Sequence, residues 1–264
     1  MLTRPAAVAG SFYPADAKEL HAQIQQLLGN AKNPPIPNTP KALIVPHAGY
    51  IYSGATAAAA YNTLVDSKDA ITRVVLIGPS HRVATRHIAT TSANYFATPF
   101  GDIAVDQDAI QTLVASRNVV VNDEAHRCEH SLEVQLPFLQ QVLTSFAIVP
   151  LAVSGDLGDT LHDCIMQFWN DPHTLLAISS DLSHFHPYHE ARTRDKNTCE
   201  RILQRKVGIS PEQACGCTAI NGLISVLQEQ HSSINLLDYR NSGDTAGDKR
   251  RVVGYASFAV YTAN

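Results

Sequence analysis

Apolar residues fall along this chain in short runs separated by amphipathic or small-residue stretches, the pattern of buried strands alternating with helices. Lys41 to Val45, Arg73 to Ile77, Phe146 to Val153, Thr174 to Ser179 and Val252 to Tyr261 read as strands. Asp16, with Glu19 three residues on, has the form of a capping box for a helix to about Leu28. Ser53 is placed to cap a small-residue helix from Gly54 to Leu64, and another helix is expected from Asp106 to Ser116. Leu132, Leu136, Leu139 and Leu143 make one apolar stripe of a helix despite Pro137. Further helices are expected from Asp159 to Trp169, over 188–205, and from Thr218 to Gln228. Ser210-Pro211-Glu212-Gln213 reads as the start of a short helix broken at Gly216. Gly29 to Pro40 is a Pro/Asn-rich connector, and Asn241 to Asp248 a turn-rich loop. The strand-helix-strand unit over 41–77 predicts a right-handed crossover with its two strands paired in parallel. No repeat or linker divides the chain, so the expectation is a single α/β domain over 1–264, a mixed, mostly parallel twisted sheet flanked by helices.

Composition narrows the function classes. The 264 residues are 45% hydrophobic and 17% charged with a net charge of −4, which gives no basic footprint for nucleic acid or an anionic membrane. No apolar run approaches the roughly 20 residues of a membrane span, and the N-terminus lacks a signal-peptide core, so a cytoplasmic protein is expected. Five cysteines are an odd number, and reduced thiols are expected instead of a disulfide scaffold.

Candidate chemistry sits at strand ends. The predicted strands before His47, before Gly78-Pro79-Ser80-His81, and before Ser180-Asp181-Leu182-Ser183-His184 each run into small turn residues and then an imidazole. Side by side in one sheet, they would present three imidazoles at its carboxyl edge, where open α/β folds build ligand sites. Neutral imidazole suits iron, zinc, copper and nickel. Tyr50 and Tyr52 flank His47 in a glycine-bearing segment suited to a pocket wall. His126 and His130 are spaced to share a helix face, without the H-E-x-x-H order of a zinc protease; His130, at a helix start, is the better candidate. Glu129 and Glu133 read as supporting or surface groups. Asp181 could orient an imidazole or simply cap a helix. Cys215 and Cys217 form C-x-C, which supports neither a thioredoxin-like motif nor a zinc knuckle, though a single thiolate could ligate a metal.

Together these words closely resemble the Memo family, including the proteins called AmmeMemoRadiSam system protein B. The matching segments are Pro5 to Pro14, Val45 to Tyr50, Gly78 to His81, Glu129 to Pro137, Ser179 to His184 and Asn241 to Asp244. The resemblance implies a fold similar to class III extradiol dioxygenases, the LigB-like non-haem iron enzymes. It implies metal ligation by His47, His81 and Cys215, with His130 and His184 as pocket histidines; Cys217 has no role in the pattern, and Asp181 is expected from its own position to assist His184. The dioxygenases hold Fe(II) with two histidines and a carboxylate, whereas a thiolate third ligand here shifts preference toward copper or zinc or retunes iron. It also implies partners of radical-SAM and AMMECR type.

Three functions follow as expectations. The first is a metal-dependent redox protein, Fe(II) first with Cu or Zn as alternatives, acting on a small molecule with proton transfer by His184. The second is a non-catalytic module binding a peptide or partner through Phe12, Tyr50, Tyr52 and the histidines. The third is a hydrolase with Cys215 as nucleophile, for which no oxyanion motif is present.

Overall fold

Every residue of Ala42–Val45 and Thr174–Ser179, and nearly all of Arg73–Pro79, is buried, so these runs are apolar on both faces as central strands of a covered sheet must be. The computed structural model describes residues 1–31, 39–116 and 118–262. Residues 32–38 of the expected connector lie outside the described residues.

The strands in chain order are β1 (Thr3–Arg4), β2 (Ala42–Val45), β3 (Arg73–Pro79), β4 (Ile88–Thr90), β5 (Tyr95–Thr98), β6 (Gly101–Ala104), β7 (Val119–Val121), β8 (Ala147–Val153), β9 (Thr174–Ser179), β10 (His184–His186), β11 (Ser232–Asn241) and β12 (Val252–Thr262). The helices are α1 (Ala17–Asn30), α2 (Tyr50–Tyr61), α3 (Gln107–Ala115), α4 (Asp123–Arg127), α5 (Leu136–Val142), α6 (Gly158–Trp169), α7 (Tyr188–Leu203) and α8 (Cys217–Glu229). A nine-stranded sheet runs β10-β12-β2-β9-β3-β8-β4-β7, with β11 on β12, and a separate three-stranded sheet runs β1-β5-β6. At the centre β2, β9, β3 and β8 are parallel. The final strand β12 enters antiparallel against β2. The sheet is therefore mixed, with helices packed on it, as the sequence predicts.

Local outcomes differ from the sequence reading where tertiary bonding competes. The β2–α2–β3 unit has parallel strands, but β9 inserts between them, so they do not pair with each other. Helix α2 begins at Tyr50 because the Gly49 carbonyl already accepts the Tyr52 and Ser53 amides; Ser53 sits inside the first turn with its hydroxyl on the Ala48 carbonyl. The Leu132 to Leu143 stripe divides into a 3-10 turn, Glu133–Gln135, and α5, whose first turn accommodates Pro137. Ser210 to Gln213 closes one turn and no helix, since the next peptide groups turn away: Cys215 N–H donates to the Asp181 carbonyl and Gly216 N–H to Ser180 Oγ. Helix α1 keeps its Asp16 cap, which accepts the Lys18 and Glu19 amides.

Candidate metal centre

The three histidine-bearing strands are neighbours in the order β2-β9-β3, all parallel, so the residues after them meet at one carboxyl edge. His47 is 2% exposed. Its Nδ1 lies 2.8 Å from Ser179 Oγ, and that hydroxyl donates its own hydrogen to the Ser131 carbonyl at 2.6 Å. Ser179 Oγ can then only accept from the ring, which fixes His47 with hydrogen on Nδ1 and a lone pair on Nε2. The amide of Gln135 steadies the same serine at 3.0 Å and also donates to the Pro46 carbonyl, while its oxygen is held by Tyr61.

His81 is fixed the same way by a carboxylate. Glu129 accepts from His81 Nδ1 at 2.9 Å and from the His81 backbone N–H at 2.6 Å. It further accepts the His130 and Ser131 amides, and the Nδ1 of His130 lies 3.2 Å from its Oε1. Burial alone would raise the Glu129 pKa, but the bonds from His81 and Ser131 outweigh it and bring the carboxyl down to about 2. It is therefore a fixed anion turning both Nε2 atoms away from itself, the arrangement by which carboxylates orient metal-binding imidazoles.

One ring nitrogen from each of His47, His81 and His130 lies within 4.8 Å of the others, and no other such His/Cys/Asp/Glu group occurs among the described residues. The His81 and His130 rings stack at 4.7 Å, with His47 edge-on to both. Burial, then mutual repulsion with His130, His81 and His184, holds His47 well below the usual imidazole range. Burial, partly offset by Glu129, brings His130 down to about 4. Both rings are neutral at pH 7, as metal ligation requires.

The Cys215 sulfur lies 3.2 Å from His47 Nε2 and accepts the Asp181 N–H at 3.3 Å. Its approach depends on a glycine: a Cβ on Gly216 would stand 2.4 Å from the Ser179 carbonyl oxygen, so only glycine lets α8 begin against the end of β9. Gly78 plays the same part opposite, where a Cβ would meet Leu132 at 2.9 Å and Ser179 Cβ at 3.1 Å. Burial, then the Asp181 charge, pushes the Cys215 thiol up.

A profile of the Memo-like protein family matches residues 4–259. The chain belongs to the Memo family. A MEMO1 family protein of Aquifex aeolicus is 35% identical, the match covering 97% of this chain and 98% of that one. Another of Ignicoccus hospitalis is 37% identical with the same coverage. Among solved structures, an uncharacterized protein JW3007 from Escherichia coli K12 matches at 15% identity with a TM-score of 0.49, covering 84% of this chain and 99% of that one.

The other residues singled out in this Memo chain divide between site and scaffold. Asp181 is buried, accepts the His47 backbone N–H at 2.8 Å, and is pushed up to about 7 by that burial. His184 opens β10, near enough to oppose charge on His47, and burial lowers its own pKa. Phe12 lays its ring 4.7 Å from His130. Tyr50 faces the core instead, its hydroxyl on the Val134 carbonyl at 2.7 Å and its ring on Tyr13 and Phe138. Tyr52 is exposed. His126 and His130 do not share a helix face, because α4 stops at Arg127. Ser179 and Gln135 escaped the sequence reading: Ser179 runs on into Ser180 and Asp181, and Gln135 stands in a mixed stretch with Glu133, so nothing in residue type or spacing marked either. No helix of the described residues is long and apolar enough to cross a membrane.

Proposed function

We propose that the centre holds a transition-metal ion, Fe(II) before zinc or copper, and that the protein carries out redox chemistry on a small molecule. The observation that carries this reading is the trio of imidazoles with Nδ1 facing a protein oxygen and Nε2 left for a ligand. The residues fit such an ion: imidazoles oriented by a serine and a carboxylate, with a sulfur beside one of them. His47 and His81 are ligands in this reading, and Cys215 completes the set from its place against His47 Nε2. When bound, the metal supplies Lewis acidity and, if iron or copper, one-electron chemistry.

The chain's own groups have separate tasks. Asp181 fixes the His47 backbone and, through its own N–H, the Cys215 sulfur. His130, beside His81 and under Phe12, forms the pocket wall and offers a neutral nitrogen to a bound molecule. His184 is the proton carrier, at the end of the segment leading from β9 into β10.

Cobalt loading tests the assignment. Protein purified without oxygen, stripped and reloaded with Co(II), is expected to show an intense near-ultraviolet sulfur-to-metal band that disappears in Cys215→Ser. Weak visible bands alone would put His130 in place of the sulfur. Unchanged metal content in both His47→Ala and His81→Ala would end the proposal.

A further inference from the structure

A cavity of about 690 Å³ opens beside the centre, with His81 and Cys215 in its wall. That volume falls in the roughly 300–1,000 Å³ range of small-molecule sites. The rest of the wall comes from the end of β8, the start of α6, residues 207–211 and the first turns of α8, and its body is apolar, with Val153, Leu157, Leu161 and Ile209. Its serine and threonine hydroxyls and its one carboxamide are already spent on the protein's own backbone. Ser80 donates to the Val83 carbonyl, Ser154 to Thr85, Thr218 to Gly155 and Ser225 to Gly222. Asn221 donates to the Ile209 carbonyl and accepts the Gly208 and Ile209 amides.

Charge in this wall has one sign. Neither lysine nor arginine lines the cavity among the described residues, and the acidic side chains there are Asp156 and Asp159. Asp156 turns one oxygen to the Gly158 amide; Asp159 stands exposed in the first turn of α6. In the metal-free protein an anion entering would lose its hydration without meeting a lysine, an arginine or a free hydroxyl donor, and would face two carboxylates. An uncharged molecule loses little, and a cationic end is attracted.

We propose that this cavity is a binding chamber on the His81–Cys215 side of the centre, apart from the His130 wall, and that in the metal-free protein it selects an uncharged molecule with an apolar body, tolerates a cationic end and refuses an anionic one. That the chamber serves a reaction rests on the metal reading; the charge selection is a property of the wall and is tested without metal.

The probes are 2-phenylethanol, 2-phenylethylamine and phenylacetate, three molecules of one body and different charge, titrated by NMR into chelator-treated full-length protein at pH 7.5. The alcohol and the amine are expected to bind with phenylacetate at least about tenfold weaker. Asp156→Asn with Asp159→Asn is expected to narrow that gap to about threefold, and Val207→Trp, at an exposed point of the wall, to weaken every probe that binds. Phenylacetate binding as well as the alcohol, an unchanged gap in the double variant, insensitivity to Val207→Trp, or no binding of any probe at 10 mM (about the weakest affinity the titration reads) would each overturn the proposal. Loss of the metal reading looks different: metal content is indifferent to His47→Ala and His81→Ala while probe selection persists.

Discussion

Glu129 and Glu133 lie four residues apart in one buried segment, yet they hold different halves of the molecule. Glu129 faces the sheet edge and spends its oxygens on His81, His130 and Ser131. Glu133 faces the N-terminal segment, where it pairs with Arg4 and accepts the Ala7 and Val8 amides and the Tyr13 hydroxyl. The histidines four apart in the same stretch divide likewise. His130 turns Nδ1 toward Glu129, whereas His126 is buried with Nε2 on the Ala89 carbonyl at 2.9 Å and has no lone pair there to offer a metal. Residue type and spacing are the same in each pair; the face of the segment decides which member serves the centre and which the scaffold.

The largest effect should come from breaking the scaffold member. Glu133→Ala strands the buried Arg4 guanidinium and three further donors, and should cost about 3–5 kcal/mol in urea unfolding. Cobalt stoichiometry of the remaining folded fraction should be unchanged. A loss confined to metal binding would erase the distinction between the two glutamates.

Acid sharpens the histidine half of the comparison. Burial brings His126 down to about 4, so between roughly pH 6.5 and 4 the unfolded chain takes a proton that the folded one refuses. Stability is full above that window and falls as pH drops through it, by up to about 3 kcal/mol for this residue. In His126→Gln, whose amide can still donate to Ala89, the acid limb of the stability curve should be shallower by one proton. A limb of unchanged slope would show that His126 titrates normally.

Glu129→Gln should act on the centre instead. Losing the anion behind His81 is expected to weaken cobalt binding by about 10–100-fold, with a change in unfolding free energy of about 1–2 kcal/mol. Smallest of all, His126→Gln at pH 7.5 should leave cobalt affinity within about twofold of the parent.

The same contrast explains how much could be read from the chain. The strands carrying His47, His81 and His184 were legible because β2, β3 and β9 are apolar on both faces, and parallel neighbours with short exits bring their ends together without further information. Strand β11 was not, since it is half-buried, carries Asn235, Asp238 and Arg240, and is interrupted by a register shift between Leu236 and Asp238. The short strands β4 to β7 owe their form to pairing more than to propensity. In the site, imidazoles stood out by residue type, but Ser179 and Gln135 were silent because their partners come from across the sheet. Tyr50 beside His47 looked like pocket wall, yet the early start of α2 turns it into the core.

The contact between Cys215 and His47 joins residues 168 positions apart in the chain. Closing so long a loop carries a large entropic cost, which the pairing of β2, β9 and β3 and the packing of α8 near β9 must offset. A nascent fragment ending before Cys215 would carry the three imidazoles without the sulfur. A metal that needs the thiolate would act as a final latch, slowing unfolding of the finished protein and leaving its folding rate untouched.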